Sequence, residues 1–140
     1  MPSATLTDVL ARRRHVLLNG DADGFADLFA PDGVIELPFA GLPGFPARVA
    51  GREAIREQAR HLLALPLRLE SFEVAELYQT LDPEVVIVEM RTTATVTTTG
   101  ESFTATSIQI LRIRGQIVLF RDFPDPRVPE GVLEVPRAAS

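Results

Sequence analysis

The sequence predicts an α+β domain whose helices cover one face of an antiparallel sheet. Apolar residues recur at helical spacing up to Pro66, and the period changes to two from residue 68 onward. A chain of 140 residues also has the length of one compact core. Helices followed by strands form the segregated α+β pattern, in which the helices must bury one face of the sheet.

Thr7 and Asp8 are cap-type residues, and Val9, Leu10, Val16 and Leu17 follow at helical spacing, so a first helix is expected over roughly residues 4 to 18. Arg12, Arg13 and Arg14 within it read as a solvated face, because no aromatic residues interleave with them. Asn19-Gly20 stops this helix. Asp21 or Asp23 then caps a short second one, with Phe25, Leu28 and Phe29 at i, i+3 and i+4. Pro31-Asp32-Gly33 is turn chemistry, and residues 34 to 39 read as a strand whose Pro38 marks an edge or an end.

Residues 40 to 51 hold three Gly and two Pro and are expected to form an irregular loop, placed to act as a lid. Gly51 opens a third helix with Ala54, Ile55, Ala59, Leu62 and Leu63 on its apolar stripe, and Pro66 ends it. Strands are expected near residues 68 to 78, 85 to 97, 102 to 113 and 116 to 123, punctuated by Asp82-Pro83, Thr99-Gly100-Glu101 and Arg114-Gly115. One domain is expected over residues 1 to 126, followed by a Pro-rich tail over 127 to 140.

Composition narrows the chemistry. There is no Cys, so thiolate metal sites, iron–sulfur clusters and cysteine nucleophiles are excluded. All 14 basic residues are Arg, and without Lys no Schiff base can form. A net charge of −5 argues against nucleic acid as a partner. No export signal and no apolar run of membrane-spanning length is seen, so a soluble, cytoplasmic protein without a membrane partner is expected. Gly-rich phosphate loops and a Gly-x-Ser-x-Gly elbow are absent. His15 and His61 have no ligand-spaced partner, so neither a metal nor another cofactor is expected.

Strand parity nominates site residues. Val86, Val88, Met90, Ala94 and Val96 share one parity, while Glu89, Arg91 and Thr93 share the other. The polar row either meets water or points into a cavity between sheet and helices. Gln109 is the polar member of its row, and Asp122 is the ionisable member of the row it shares with Phe120. A carboxyl in an apolar pocket has its pKa raised and can act as a general base. The apolar row of Val86, Val88 and Met90 needs burial, under the helices or against a second subunit.

The segments Asn19 to Gly33, Gly51 to Glu57 and Phe120 to Pro126 resemble the SnoaL-like branch of the nuclear transport factor 2 and ketosteroid isomerase superfamily. The resemblance implies a strongly curved antiparallel sheet wrapped as a cone around three helices, an apolar pocket between them, and a homodimer formed through the sheet. It also implies that Glu89, Arg91, Thr93, Gln109 and Asp122 face the pocket. The ketosteroid isomerase base falls here on Leu37, and the oxyanion-hole places fall on Arg13 or Arg14 and on Gln109, so steroid isomerase chemistry is not implied. Of the limonene-epoxide hydrolase Asp-Arg-Asp arrangement, Arg91 and Asp122 remain while Thr93 replaces the other Asp. The third-helix His of the phenazine-biosynthesis PhzA and PhzB proteins is matched by Gln58.

The expected function is acid–base catalysis, without a cofactor, on a small apolar carbonyl-bearing metabolite such as a polyketide intermediate. Asp122 would be the base, Arg91 would hold Asp122 or the substrate oxygen, Gln109 would donate a hydrogen bond, and Phe120 and Phe39 would line the wall. Glu89, Thr93 and Gln58 complete the expected binding residues. A non-catalytic ligand-binding or assembly protein is the second reading, and an epoxide-hydrolase-like enzyme is the third.

Overall fold

The computed structural model describes residues 4–39 and 46–125. The order is α1 (Ala4–Leu18), α2 (Ala22–Asp27), β1 (Phe29–Glu36), β2 (Arg48–Ala50), α3 (Arg52–Leu63), β3 (Leu67–Gln79), β4 (Val85–Val96), β5 (Ser102–Arg114) and β6 (Gln116–Pro124). The six strands form one sheet in the order β2-β1-β6-β5-β4-β3, with the three helices against one face. The expected α+β class is therefore the observed one. The sheet is mixed instead of purely antiparallel, because β1 runs parallel to β6.

Two further expectations change at β1. Pro31-Asp32-Gly33 is not a turn between elements; the strand begins at Phe29 and these residues form an irregularity in its pairing with β6, between Phe29 and Val34. Gly33 sits there with Ile117 O and Ala30 O about 3.0 and 3.1 Å from where a Cβ would stand, so a side chain would press on backbone. The loop expected over residues 40 to 51 contains β2, which pairs with β1 through Val34–Ala50, Ile35–Val49 and Glu36–Arg48. A lid role for that loop rests in part on residues 40–45, outside the described residues, as does the tail from 127.

The core explains the facing of β4. Val86, Val88, Met90, Ala94 and Val96 are buried, and the first three pack with Leu6, Val9, Leu10 and Val16 of α1 in one apolar cluster. Burial beneath helices satisfies that row, so it supplies no reason for a second subunit. Arg56 of α3 locks α2 in place by bonding Asp23 at 3.1 Å and Asp27 at 2.8 Å, while Glu53 holds it from the same helix at 3.1 Å. Asp21 caps α2 by accepting from Gly24 N at 2.8 Å. Together these contacts fix the two helices that roof the cavity described next. No helix among the described residues is long and apolar enough to cross a membrane.

Candidate functional site

Alternation along β6 sends Phe120, Asp122 and Pro124 to the helix side of the sheet, and Ile35 of β1 and Leu37 just after it stand beside them. From above, α3 presents Ile55, Gln58, Ala59 and Leu62, the i, i+3, i+4, i+7 stripe of one helix face. Phe25 of α2 and Val49 of β2 close the sides. The cavity, partly open to solvent, measures about 140 Å³, and its polar lining residues are Asp122 and Gln58.

Asp122 sits in this apolar setting with one carboxylate oxygen, Oδ1, shielded from solvent and without a hydrogen-bond partner among the described residues. Burial pushes its pKa up to about 6 from the usual 3.8, while a hydrogen bond from Gln109 and the charge of Arg13 pull it down. The pairing Val88–Gln109–Asp122 across β4, β5 and β6 places Gln109 beside Asp122 on the inward face. Gln109 is itself buried, and its Oε1 accepts from Arg13 Nη1 at 2.6 Å. Its Nε2 donates to Ser107 Oγ at 3.5 Å, so the amide is held from both ends, with the Arg13 guanidinium on one side and the Asp122 carboxylate beside it in register.

Arg13 is the residue that the sequence reading placed wrongly. It is 1% exposed, not on a solvated face. Its guanidinium lies over the rings of Phe72 and Phe120, 5.2 and 5.4 Å from their centroids, cation–π contacts that offset part of the desolvation. Burial lowers its pKa to about 10, with Asp122 opposing, so it stays charged at neutral pH. Its signal is in the helix period: Leu6, Val9, Leu10 and Val16 are the buried stripe of α1, and Arg13 occupies the next place on that stripe.

Four expected site residues are elsewhere. Glu89, Arg91 and Thr93 lie on the outer face of the sheet, because the apolar parity of β4 takes the helices. Glu89 accepts a 2.6 Å bond from Tyr78 Oη, and Thr93 Oγ1 bonds Thr104 Oγ1 at 3.2 Å. Arg91 is exposed, pairs in register with Glu73 and Thr106, and does not face Asp122. Arg13 occupies the role of cation near Asp122 that was assigned to Arg91. Phe39 is 80% exposed and stacks edge-on with Phe123 at 5.1 Å instead of lining the cavity. Asp122, Phe120 and Gln58 line the cavity, and Gln109 lies behind Asp122.

No cluster of three or more His, Cys, Asp or Glu residues able to hold a metal occurs among the described residues. His61 is engaged with Glu57 at 3.3 Å, and His15 Nδ1 lies 3.4 Å from Asn19 Nδ2.

Comparison with known proteins agrees with this architecture. The profile of the SnoaL-like domain matches residues 10–120. An uncharacterised PhzA/B-like protein of Pseudomonas aeruginosa is 39% identical over 121 residues, covering 85% of this chain and 83% of the relative. A Bacillus subtilis crystal structure carrying a provisional isomerase label superposes with a TM-score of 0.79 at 27% identity, over 87% of each chain. SalBIII, an epoxide hydrolase/cyclase-like enzyme in pyran ring formation in the polyether salinomycin, superposes with a TM-score of 0.67 over 86% of this chain and 90% of its own. At 18% identity that last likeness is one of fold.

Proposed function

This chain belongs to the SnoaL-like domain family, and on that premise we propose that it is an acid–base catalyst of isomerase or cyclase type for a small, largely apolar, carbonyl-bearing metabolite. One observation carries the proposal: among the described residues a single carboxylate, Asp122, lines an apolar cavity, with an oxygen that has no hydrogen-bond partner and a pKa pushed up to about 6. At neutral pH such a group is mostly ionised yet a stronger base than an ordinary aspartate. Asp122 removes a proton α to the carbonyl. The C–H electron pair moves into the enolate, whose oxygen accepts a hydrogen bond from the Gln58 side-chain amide across the cavity. Return of the proton to another carbon gives an isomer; attack of the enolate carbon on a second carbonyl of the same molecule closes a ring, and the alkoxide that forms takes the proton back from Asp122.

Arg13 acts through Gln109. It fixes the amide that donates to Asp122 and keeps the carboxyl from rising further, so it is a positioning residue. The volume of about 140 Å³ resembles apolar cavities of ~150 Å³ that take up one benzene, which supports a substrate with one ring or its open-chain equivalent in the cavity. A polyketide intermediate is one metabolite of that class. Epoxide opening on the Asp-Arg-Asp plan would need a second carboxylate in the cavity, and Glu89, the nearest candidate in sequence to Arg91, faces outward with it. A homodimer through the outer face of the sheet, where Tyr78 and Ile108 are exposed, is part of the same proposal.

The test is proton exchange. Cyclohexanone and cyclopentanone incubated with the protein in D₂O are expected to gain deuterium α to the carbonyl faster than in buffer, followed by proton NMR. Asp122→Asn is expected to return the rate to the buffer level with the fold retained by circular dichroism. Exchange that persists undiminished in Asp122→Asn removes Asp122 as the base. A wild-type protein that binds these ketones without exchanging them supports the non-catalytic ligand-binding reading.

A further inference from the structure

A second recess lies between α1 and β3 and shares no lining residue with the Asp122 cavity. It measures about 310 Å³, and its walls are Leu10, Phe72, Leu77 and Met90, with Arg13 at its base. At its rim Arg14 and Glu73 pair with each other at 2.7 Å, and both are half exposed. Their charges offset one another, which leaves Arg13 as the charge on the lining whose opposing group, Asp122, lies outside the recess.

The guanidinium of Arg13 is used on one side only. Nη1 donates to Gln109 at 2.6 Å. Nε has no hydrogen-bond partner among the described residues, and Nη2 meets Met90 Sδ at 3.4 Å, a weak acceptor. Nε and Nη2 form the side-on edge of the guanidinium, the two parallel donors that bind a carboxylate in bidentate fashion. Phe72 and Phe120 contact the group through their rings, 5.2 and 5.4 Å from centroid to Cζ, and supply no hydrogen-bond acceptor to this edge. Met90, which touches that edge, also lines the recess. A buried cation with one unmet donor and one weakly met is costly unless a better acceptor reaches it.

We propose that this recess binds a small monocarboxylate with an apolar tail, its carboxylate received by the Nε/Nη2 edge of Arg13 and its tail by Leu10, Phe72 and Leu77. Charge and shape choose the ligand: the site offers one cation with a two-donor edge, and the rest of its inner wall is apolar. The site stands independently of the chemistry proposed at Asp122. Binding would engage the same guanidinium that bonds Gln109, so occupancy reaches Asp122 through one shared side chain.

The test uses octanoate and its uncharged counterpart 1-octanol, titrated into the full-length protein by calorimetry. Octanoate is expected to bind at least about tenfold tighter than octanol, and Arg13→Met is expected to erase that preference because it keeps length and removes the donors. Methyl NMR of the wild type locates the ligand without relying on any variant: the Met90 and Leu77 methyls are expected to shift with octanoate, and Ile55 to stay in place. Equal binding of acid and alcohol, no binding of octanoate, or shifts at Ile55 without Leu77 would each overturn the proposal.

Discussion

Replacing Asp122 with asparagine tests the electrostatics of the cavity without reference to any substrate. The carboxyl titrates near 3.8 when unfolded and is pushed up to about 6 in the folded protein, chiefly by burial. The sign follows. Below 3.8 both states hold the proton; between the two values the folded state retains a proton that the unfolded state has shed, so stability falls as pH rises, and the loss is complete above about 6. At ~1.4 kcal/mol per pH unit the interval corresponds to about 3 kcal/mol, of which ~2 kcal/mol develops between pH ~4.5 and ~7.5. Urea unfolding of wild type and Asp122→Asn across that window gives a difference in which the other ionisable groups cancel. The penalty of leaving Arg13 without its neighbour is largely a constant offset, so the slope carries the information. Wild type is expected to lose ~2 kcal/mol relative to the variant as pH rises through the window. A flat difference, or one that grows in favour of wild type, would mean that Arg13 holds Asp122 ionised throughout, and the case for a base of raised pKa would fail.

Other consequences can be checked separately. Arg13→Met should move the Asp122 titration above its wild-type value, because the arginine charge pulls it down; carbon-detected NMR of the side-chain carboxyl reads this, and an unmoved titration would disconnect the two residues. Deuterium exchange into cyclohexanone should rise with pH through about 6 and level off as Asp122 becomes ionised, with a pH-independent rate counting against it. Ile55→Ala should cost ~2–5 kcal/mol by chemical denaturation, since Ile55 is fully buried at the cavity roof and its neighbours are tied down by Arg56. Ile108→Arg should shift the sedimentation coefficient to that of a monomer if the outer sheet face forms a dimer, while a variant unchanged from a dimeric wild type would place the interface elsewhere.

Much of the fold is legible because most elements obey one period and end on recognisable punctuation. The expected first helix coincides with α1, and the four later strands fall within about two residues of their expected ends. The first part of β1, before Val34, escaped because Pro31-Asp32-Gly33 has the composition of a turn while its backbone continues a strand through a bulge, a choice made by pairing with β6. β2 escaped because three residues carry no period, and only β1 beside it makes it a strand.

Facing within the sheet depended on register, which composition does not contain. Gln109 pairs with Val88, an inward residue, and not with Glu89. A slip of one residue would reverse this and bring Glu89 and Arg91 to the same face as Gln109 and Asp122. The turn between β4 and β5 decides the matter, since Thr95 pairs with Ser102 and every later pair follows.

The error at Arg91 and the omission of Arg13 have one origin. Glu89, Arg91 and Thr93 are polar residues in a polar row, and a polar row needs only water to explain it. Arg13, Gln58, Gln109 and Asp122 are single polar residues in otherwise apolar rows, on α1, α3, β5 and β6. Each interrupts a pattern that its neighbours keep, and an interruption of that kind must be compensated by a partner. Here three of the four compensate one another, Arg13 through Gln109 to Asp122, from elements far apart in sequence. What remains uncompensated is one oxygen of Asp122 beside the cavity and one edge of Arg13 beside the recess. Those two unmet groups, and not the longer polar stripe, mark where this fold has polar bonding capacity left over for something that is not itself.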